Sequence, residues 1–267
     1  MAEWSDLGLL PYREALEIQK GMAKRRADGE IPDTILFCQH HPIIHFSANS
    51  ILNSFSEYLF QEMRAEKRYD KIEEDDIISF LKDKGIDFGR NIRGGGGAYI
   101  GPGQVVVYPI VDYENITGSR AGIGRYKDMI DEIMKDVLED FGIDARIYRN
   151  SDHLDMPDDR NDRKDVWVMK DDKPYKLGGK TIITSNNIAY HGFCFYLDKK
   201  STEGFKYVNP CGHTSDELGI ENVENCLGKK VSHDEFKQDI LKAIKNRFGY
   251  EAIERSEKIP AYKGLSE

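Results

Sequence analysis

Two periods organise the apolar positions of this chain. A helical period is clearest from Gly124 to Phe141, where Tyr126, Met129, Ile130, Ile133, Met134, Val137, Leu138 and Phe141 form one stripe and Gly142 closes it. Leu10 to Lys24 repeats the pattern more weakly through Ala15, Leu16, Ile18, Gln19 and Met22, with Pro11 at its start. Phe236 to Phe248 predicts a third helix. Ser54 to Lys67 and Glu73 to Lys84 predict two charged, exposed helices. Short apolar runs at Ile35–Cys38, Ile43–Phe46, Val105–Ile110, Val166–Met169, Lys180–Thr184 and His191–Leu197 predict strands. Asp171-Asp172-Lys173-Pro174 predicts a turn. Asn150 to Asp165 is dense in Asp, Arg and Asn and reads as a flexible acidic loop; Glu251 to Glu267 reads as a loosely held polar tail. No internal repeat is present. Interleaved strands and helices predict a mixed α/β (α+β) fold, a mixed sheet flanked by helices, in a single domain over residues 1–267.

Composition narrows the function classes. A hydrophobic share of 39% supports a full core, and a net charge of −9 argues against nucleic acid and against an anionic membrane surface. The first residues, Met1-Ala2-Glu3-Trp4-Ser5-Asp6, have neither a basic nor an apolar signal region, and no apolar run is long enough to span a bilayer. A cytoplasmic protein is expected. The four cysteines form no Cys-x-x-Cys pair. Cys38 and Cys194 lie among apolar residues and read as small core side chains. Cys211 differs, because Pro210 and Gly212 place it in a turn. His40, His41 and His45 cluster in sequence, but neighbours on a strand face opposite ways and no carboxylate follows at ligand spacing, so no metal is expected.

The chemistry concentrates in three patches. Arg93-Gly94-Gly95-Gly96-Gly97-Ala98-Tyr99-Ile100 runs into Gly101-Pro102-Gly103-Gln104 and then a strand. Four consecutive glycines allow close backbone approach to a ligand. The lack of Gly-Lys-Ser/Thr and of a following helix argues against a phosphate and for an extended ligand such as an acyl chain. The second patch is Lys176-Leu177-Gly178-Gly179-Lys180-Thr181, ending near His191-Gly192; the third is Asn209-Pro210-Cys211-Gly212. A cysteine nucleophile reacts as thiolate, and a nearby ammonium lowers its pKa. Lys176 and Lys180 are both candidates, and spacing alone does not separate them.

Taken in order, these patches resemble the signature of the lipoyl-synthesis octanoyltransferases. Arg93-Gly94-Gly95, Tyr99 and Gly101-Pro102-Gly103-Gln104 match that family's Arg-Gly-Gly-x-x-Thr-Tyr-His-Gly-Pro-Gly-Gln in register. His40 and Pro42 are similar to its Glu-His-x-Pro, and Lys176-Leu177-Gly178-Gly179 to its Lys-Ile-Ala/Cys-Ser. His191-Gly192-Phe193 and Asn209-Pro210-Cys211-Gly212 are similar to its His-Gly and Asn-Pro-Cys-Gly runs. The likeness extends from about Leu7 to Leu227.

The resemblance implies the fold of the lipoate and biotin protein ligases. It also implies transfer of an octanoyl group from octanoyl-acyl carrier protein to a lysine of a lipoyl domain. Acceptors would be the lipoyl domains of 2-oxoacid dehydrogenase E2 subunits and the glycine cleavage H protein, and no cofactor is needed. By motif the catalytic pair falls on Cys211, as thioester carrier, and Lys176. The acyl site falls on Arg93, Gly94, Gly95, Gly96, Gly97, Ala98, Tyr99 and Ile100, on Gly179, Lys180 and Thr181, and on His191, Gly192, Phe193 and Cys194. Ile100 stands where the family has His, Ala98 where it has Thr, and Asp165 where it has Gly. Segments near 49–84 and 150–165 look longer than usual. An acidic carrier would need a local basic patch, with Arg120, Arg125 and Lys127 as candidates. The alternatives are an ATP-dependent lipoate or octanoate ligase, which needs no nucleophilic cysteine, and a catalytically weak acyl-binding homologue.

Overall fold

The computed structural model describes residues 1–47, 55–66, 72–91, 97–149, 164–209, 218–256 and 258–259. In chain order the elements are β1 (Ala2–Leu10), α1 (Tyr12–Ala27), β2 (Thr34–His40), β3 (Ile43–Ser47), α2 (Glu57–Ala65), α3 (Glu74–Asp83), β4 (Asp87–Asn91), β5 (Ala98–Ile100) and β6 (Gln104–Asp112). They continue with α4 (Tyr113–Thr117), α5 (Ile123–Asp140), β7 (Ala145–Arg149), β8 (Lys164–Lys170), β9 (Lys173–Lys176), β10 (Gly178–Ser185) and β11 (Ile188–Tyr196). A 3-10 helix (Lys199–Tyr207), β12 (Gly219–Ile220), α6 (Val223–Leu227), α7 (His233–Phe248) and β13 (Ile253–Arg255) complete them.

A six-stranded mixed sheet in the order β10-β11-β6-β2-β1-β13 carries the main core. β6 lies within it, antiparallel to β2 and β11. Its residues alternate between two cores, which is why it reads as an unbroken apolar run rather than an alternating one. Val105, Val107 and Val111 join Tyr126, Ile130, Ile133 and Val137 of α5 and Phe236, Ile240 and Ile244 of α7. Val106, Tyr108 and Ile110 face the other way, toward Ala15 and Met22 of α1. β2 divides likewise, Ile35 and Phe37 against Leu36 and Cys38. Each such side chain stabilises by roughly 1.5–3 kcal/mol on burial, so the doubly covered strands dominate the fold.

Two smaller sheets flank this one. β4-β3-β5 packs under α2, α3 and the 3-10 helix. β12-β9-β8-β7 lies across a buried Trp167. No helix of the described residues is long and apolar enough to cross a membrane.

Several expectations change. α2 and α3 are more than solvated: Leu59, Met63, Ile77, Phe80 and Leu81 are buried against Phe46, Tyr99 and Tyr207. The acidic-loop expectation ends too late. Residues 150–163 lie outside the described residues, but Lys164 and Asp165 already pair with Arg149 and Tyr148 in β8. In the expected turn only Asp171 and Asp172 turn, at φ 50° and 59°; Pro174 is in β9, opposite Met169. The tail is tied down over 253–259. Ile253–Arg255 pairs in parallel with Ala2–Trp4, the Ser256 amide donates to the Trp4 carbonyl (2.8 Å), and the Ser5 hydroxyl donates to the Ile259 carbonyl (2.7 Å). β1 has no periodic signal because Gly8, at φ 73°, sits in a register shift between Asp6 and Leu9.

Three aromatic strands meet α1 at a buried polar knot. His40 lies between the Leu10 carbonyl (3.0 Å from Nδ1) and the Tyr108 hydroxyl (2.7 Å from Nε2). Burial lowers its pKa to about 4, against the pull of that carbonyl. Nearby, Pro109 has no amide for the sheet, and the pairing of β6 with β11 lapses between Ala189 and Phe193. His191 takes a left-handed φ of 59° there, a conformation that costs a non-glycine residue of order 1–3 kcal/mol. Its amide donates to the side-chain oxygen of Gln19 on α1 (2.8 Å), itself fully buried. Its ring stacks near those of Tyr12 and Tyr190.

Two outcomes follow from this knot. Gln19→Met keeps volume but strands the His191 amide, and is expected to cost about 1–3 kcal/mol in urea unfolding. An unchanged midpoint would show that the bond contributes nothing. His40 is kept neutral by the fold and charges more readily when unfolded, so below its unfolded pKa of about 6.5 the unfolded state binds the extra proton. Stability is therefore lost as pH falls from about 6.5 to about 4. Wild type should lose about 3 kcal/mol more than His40→Gln over that window, a difference that leaves carboxylate contributions common to both proteins.

Candidate active site

Lys176 ends β9 and its side chain turns inward, 8% exposed. Two groups on β8 receive it. The Asp165 carboxylate accepts a charge-assisted hydrogen bond from Nζ, and the Trp167 ring lies beneath, its centroid 4.7 Å away. Asp165 also accepts from the Val166 amide at 3.1 Å. A buried ammonium needs a counter-charge, and a desolvated ring face adds to it. Asp165 is the partner of Lys176 that sequence reading misses, since it reads there only as a departure inside a loop. The signal lies in the β8–β9 hairpin. Pairing of Val168 with Tyr175 sets Lys176 across from Trp167, and Asp165, two residues earlier, shares Trp167's face.

β10 and β11 bring two expected segments together. Gly179 pairs with Cys194, Lys180 with Phe193 and Thr181 with Gly192. Phe193 enters the main core, while Cys194 packs between the other two. A Cβ on Gly192 would overlap the Val107 carbonyl and approach Pro109 Cδ to 2.6 Å, so the close strand contact requires glycine. Lys180 binds elsewhere than Lys176: its ammonium donates to Asp131 of α5 and to the Lys164 carbonyl (2.9 Å). Burial pushes the Asp131 carboxyl up to about 6, against the Lys180 ammonium.

Of the glycine-rich patch, Arg93, Gly94, Gly95 and Gly96 lie outside the described residues. Its end is held by β5, where Ala98, Tyr99 and Ile100 pair with His45, Ile44 and Ile43 of β3. Tyr99 is buried: its ring packs 5.7 Å from that of Phe205, and burial raises its hydroxyl to about 12. Ile100 packs against the core under α1. Gln104 ties this end to the 3-10 helix, donating to the Tyr99 (3.2 Å) and Ser201 (2.9 Å) carbonyls.

Cys211 lies outside the described residues, in 210–217, but both flanks of that segment are placed. Val208 bridges to Phe55, the Ser56 amide donates to the Tyr207 carbonyl (3.2 Å), and Asn209 donates to the Phe55 carbonyl (3.1 Å). A Cβ on Gly97 would overlap the Val208 side chain, so this flank touches the end of the glycine patch. On the far flank Leu218 packs with Trp167, Gly219 and Ile220 pair with Tyr175 and Lys176, and the Glu221 amide donates to the Lys176 carbonyl (3.1 Å). The described residues on the two sides of 210–217 therefore stand beside Gly97, through Val208, and beside Lys176, through Ile220. Phe55 and Ser56, just before α2, brace the flank at Tyr207–Asn209.

No group of three or more His, Cys, Asp or Glu among the described residues is arranged to hold a metal ion. His40 and His45 are buried within the aromatic knot, while His41 is exposed. Arg120 and Arg125 form ion pairs with Glu114 and Glu132 (3.1 and 3.0 Å), which removes two charges from the expected basic patch.

Comparison with known proteins gives the family. An octanoyltransferase of Caldicellulosiruptor saccharolyticus is 29% identical over 248 residues, covering 91% of this chain and 87% of the relative. One from Alkaliphilus metalliredigens is 26% identical over 256 residues, 94% and 97%. In three dimensions, the putative lipoate protein ligase Ta0514 of T. acidophilum, solved with bound lipoic acid, superposes with a TM-score of 0.63 at 14% identity, covering 97% of this chain and 91% of that one. At such identity the superposition speaks for the fold, a mixed α/β lipoate ligase-like fold. The profile of the lipoyl protein ligase A/B catalytic domain matches residues 55–245, most of the chain, and the protein belongs to that family.

Proposed function

We propose that this enzyme is an octanoyltransferase of protein lipoylation that carries the acyl group on Cys211. Supporting this most directly is the anchoring of segment 210–217, one flank on the strand of Lys176 and the other against Gly97. In the proposed reaction the Cys211 thiolate, favoured by the Lys176 ammonium, attacks the thioester carbonyl of octanoyl-acyl carrier protein. The carrier thiol leaves with a proton from Lys176. The amine of a lipoyl-domain lysine then attacks the enzyme thioester, giving up a proton to the now neutral Lys176 amine as the amide forms and the Cys211 thiolate departs. Each half-reaction exchanges one acyl bond for another, so neither ATP nor a redox partner enters. E2 lipoyl domains and the glycine cleavage H protein are the proposed acceptors, in the cytoplasm. Arg93, Gly94, Gly95 and Gly96 would approach the acyl chain from the glycine patch, and the paired Gly179–Thr181 and Gly192–Cys194 segments from the sheet.

Intact-mass measurement after mixing with octanoyl-acyl carrier protein should show one octanoyl group, mapped to Cys211 and released by hydroxylamine. Cys211→Ser should lose transfer. Mapping to Cys38, Cys194 or Cys226, or acylation only from free octanoate with ATP, would overturn the assignment.

The two lysines separate by their partners. Lys176→Met should slow iodoacetamide labelling of Cys211 at neutral pH by tenfold or more, as expected for a thiol losing roughly one unit or more of pKa depression. Lys180→Met removes a tie between α5 and β8 and should lower stability more than labelling. The reverse order would move the activating role to Lys180.

A further inference from the structure

We infer that Asp165 is a positioning residue for the proposed reaction: its carboxylate fixes both the place and the positive charge of Lys176. The inference rests on reading Lys176 as the catalytic ammonium. It also identifies a device that the resembled family, with Gly at this position, does not supply from the same residue.

Geometry carries it. Lys176 and Asp165 expose only 8% and 13% of their side chains, so water screens their attraction little. Asp165 is itself aimed, since its other oxygen holds the Val166 amide (3.1 Å) and its strand is locked to β7 and β9. Trp167 closes the underside of the ammonium and Leu218 packs against Trp167. The pair thus joins the β8–β9 hairpin to the far flank of the Cys211 segment. Other charged groups face this region from neighbouring elements. Asp131 of α5 lies close enough to sense Asp165, and is paired with Lys180 of β10; Lys164 at the start of β8 pairs with Asp128 (3.3 Å). Glu221, beyond β12, meets Lys176 through its backbone amide. Asp131 is already matched by Lys180, which leaves Asp165 as the carboxylate bound to Lys176 among the described residues.

A carboxylate at this place has a definite chemical consequence. It holds Lys176 as ammonium to higher pH and restrains a long, flexible side chain to one direction. Lys176 then acts on the thiol as a fixed positive charge and as a proton donor to the leaving carrier thiol. Without Asp165 the ammonium keeps its poorly solvated place and loses that carboxylate, so it gives up its proton at lower pH.

The test is a titration of the Lys176 side chain by NMR in full-length protein carrying 13Cε-lysine, assigned by the signal lost in Lys176→Arg. In Asp165→Asn the Lys176 midpoint should fall by roughly one to three pH units. The alkaline limb of octanoyl transfer should fall with it, and Asp165→Glu should restore both. Should Asp165→Asn fail to fold, Asp165→Gly makes the same test with the residue of the related motif. A folded variant whose Lys176 midpoint stays at the wild-type value overturns the inference. So does a midpoint that moves while the alkaline limb of transfer stays. Failure of the proposed function looks different: wild-type protein takes up no octanoyl group on Cys211, whatever Lys176 does. The titration still decides whether Asp165 sets the charge.

Discussion

The double covering of the central strands is the constraint on which the rest depends. Val105 to Val111 has no polar side chain of its own to give to solvent other than the Tyr108 hydroxyl, so both faces of β6 must be roofed. α5 and α7 roof one face, α1 the other. At roughly 25 cal/mol per Å2 of apolar area, this burial outweighs every polar contact in the molecule. Once the faces are taken, chemistry is left to strand ends, to the sheet edge at β10, and to the two smaller sheets.

Some of the polar groups caught inside that scheme have specific partners. His40 is neutral between a carbonyl and a tyrosine, and the His191 amide has Gln19. Buried Lys176 and half-buried Lys180 each meet an aspartate, and the partners differ: Lys176 takes Asp165 across a hairpin, Lys180 takes Asp131 across from a helix. Such pairs add little net stability over apolar side chains, yet losing one member costs several kcal/mol, so they fix geometry more than they strengthen the fold. This difference sets the two lysines in separate places. Lys176 lies beside Gly219 and Ile220 of β12, whereas Lys180 fastens α5 to β8.

α2 and α3 also gain a physical reading. They bury a face on the 3-10 helix, and Phe55 and Asn209 connect that packing to the flank before 210–217. Helices that look merely solvated in sequence brace the residues next to the proposed nucleophile.

Sequence by itself determined the elements whose pattern is written in neighbouring residues. The α5 stripe, the β6 run, the mixed α/β order and the ordered motifs ending at Cys211 are of this kind, because helical and strand periods and short motifs are local. It also marked Lys176 by motif, although spacing alone left Lys180 as an equal candidate. Tertiary structure decided what depends on register across chain-distant strands. β1 takes its place by pairing with β2 on one side, and β13 forms only because Ile253–Arg255 comes to lie beside Ala2–Trp4 on the other. The apolar faces of α2 and α3 count as core only once the 3-10 helix, more than a hundred residues later, covers them. Asp165 is the sharpest case. In sequence it is one more acid in an acidic stretch; in the hairpin it shares a face with Trp167 and meets Lys176, because strand pairing, not sequence proximity, sets which charges touch.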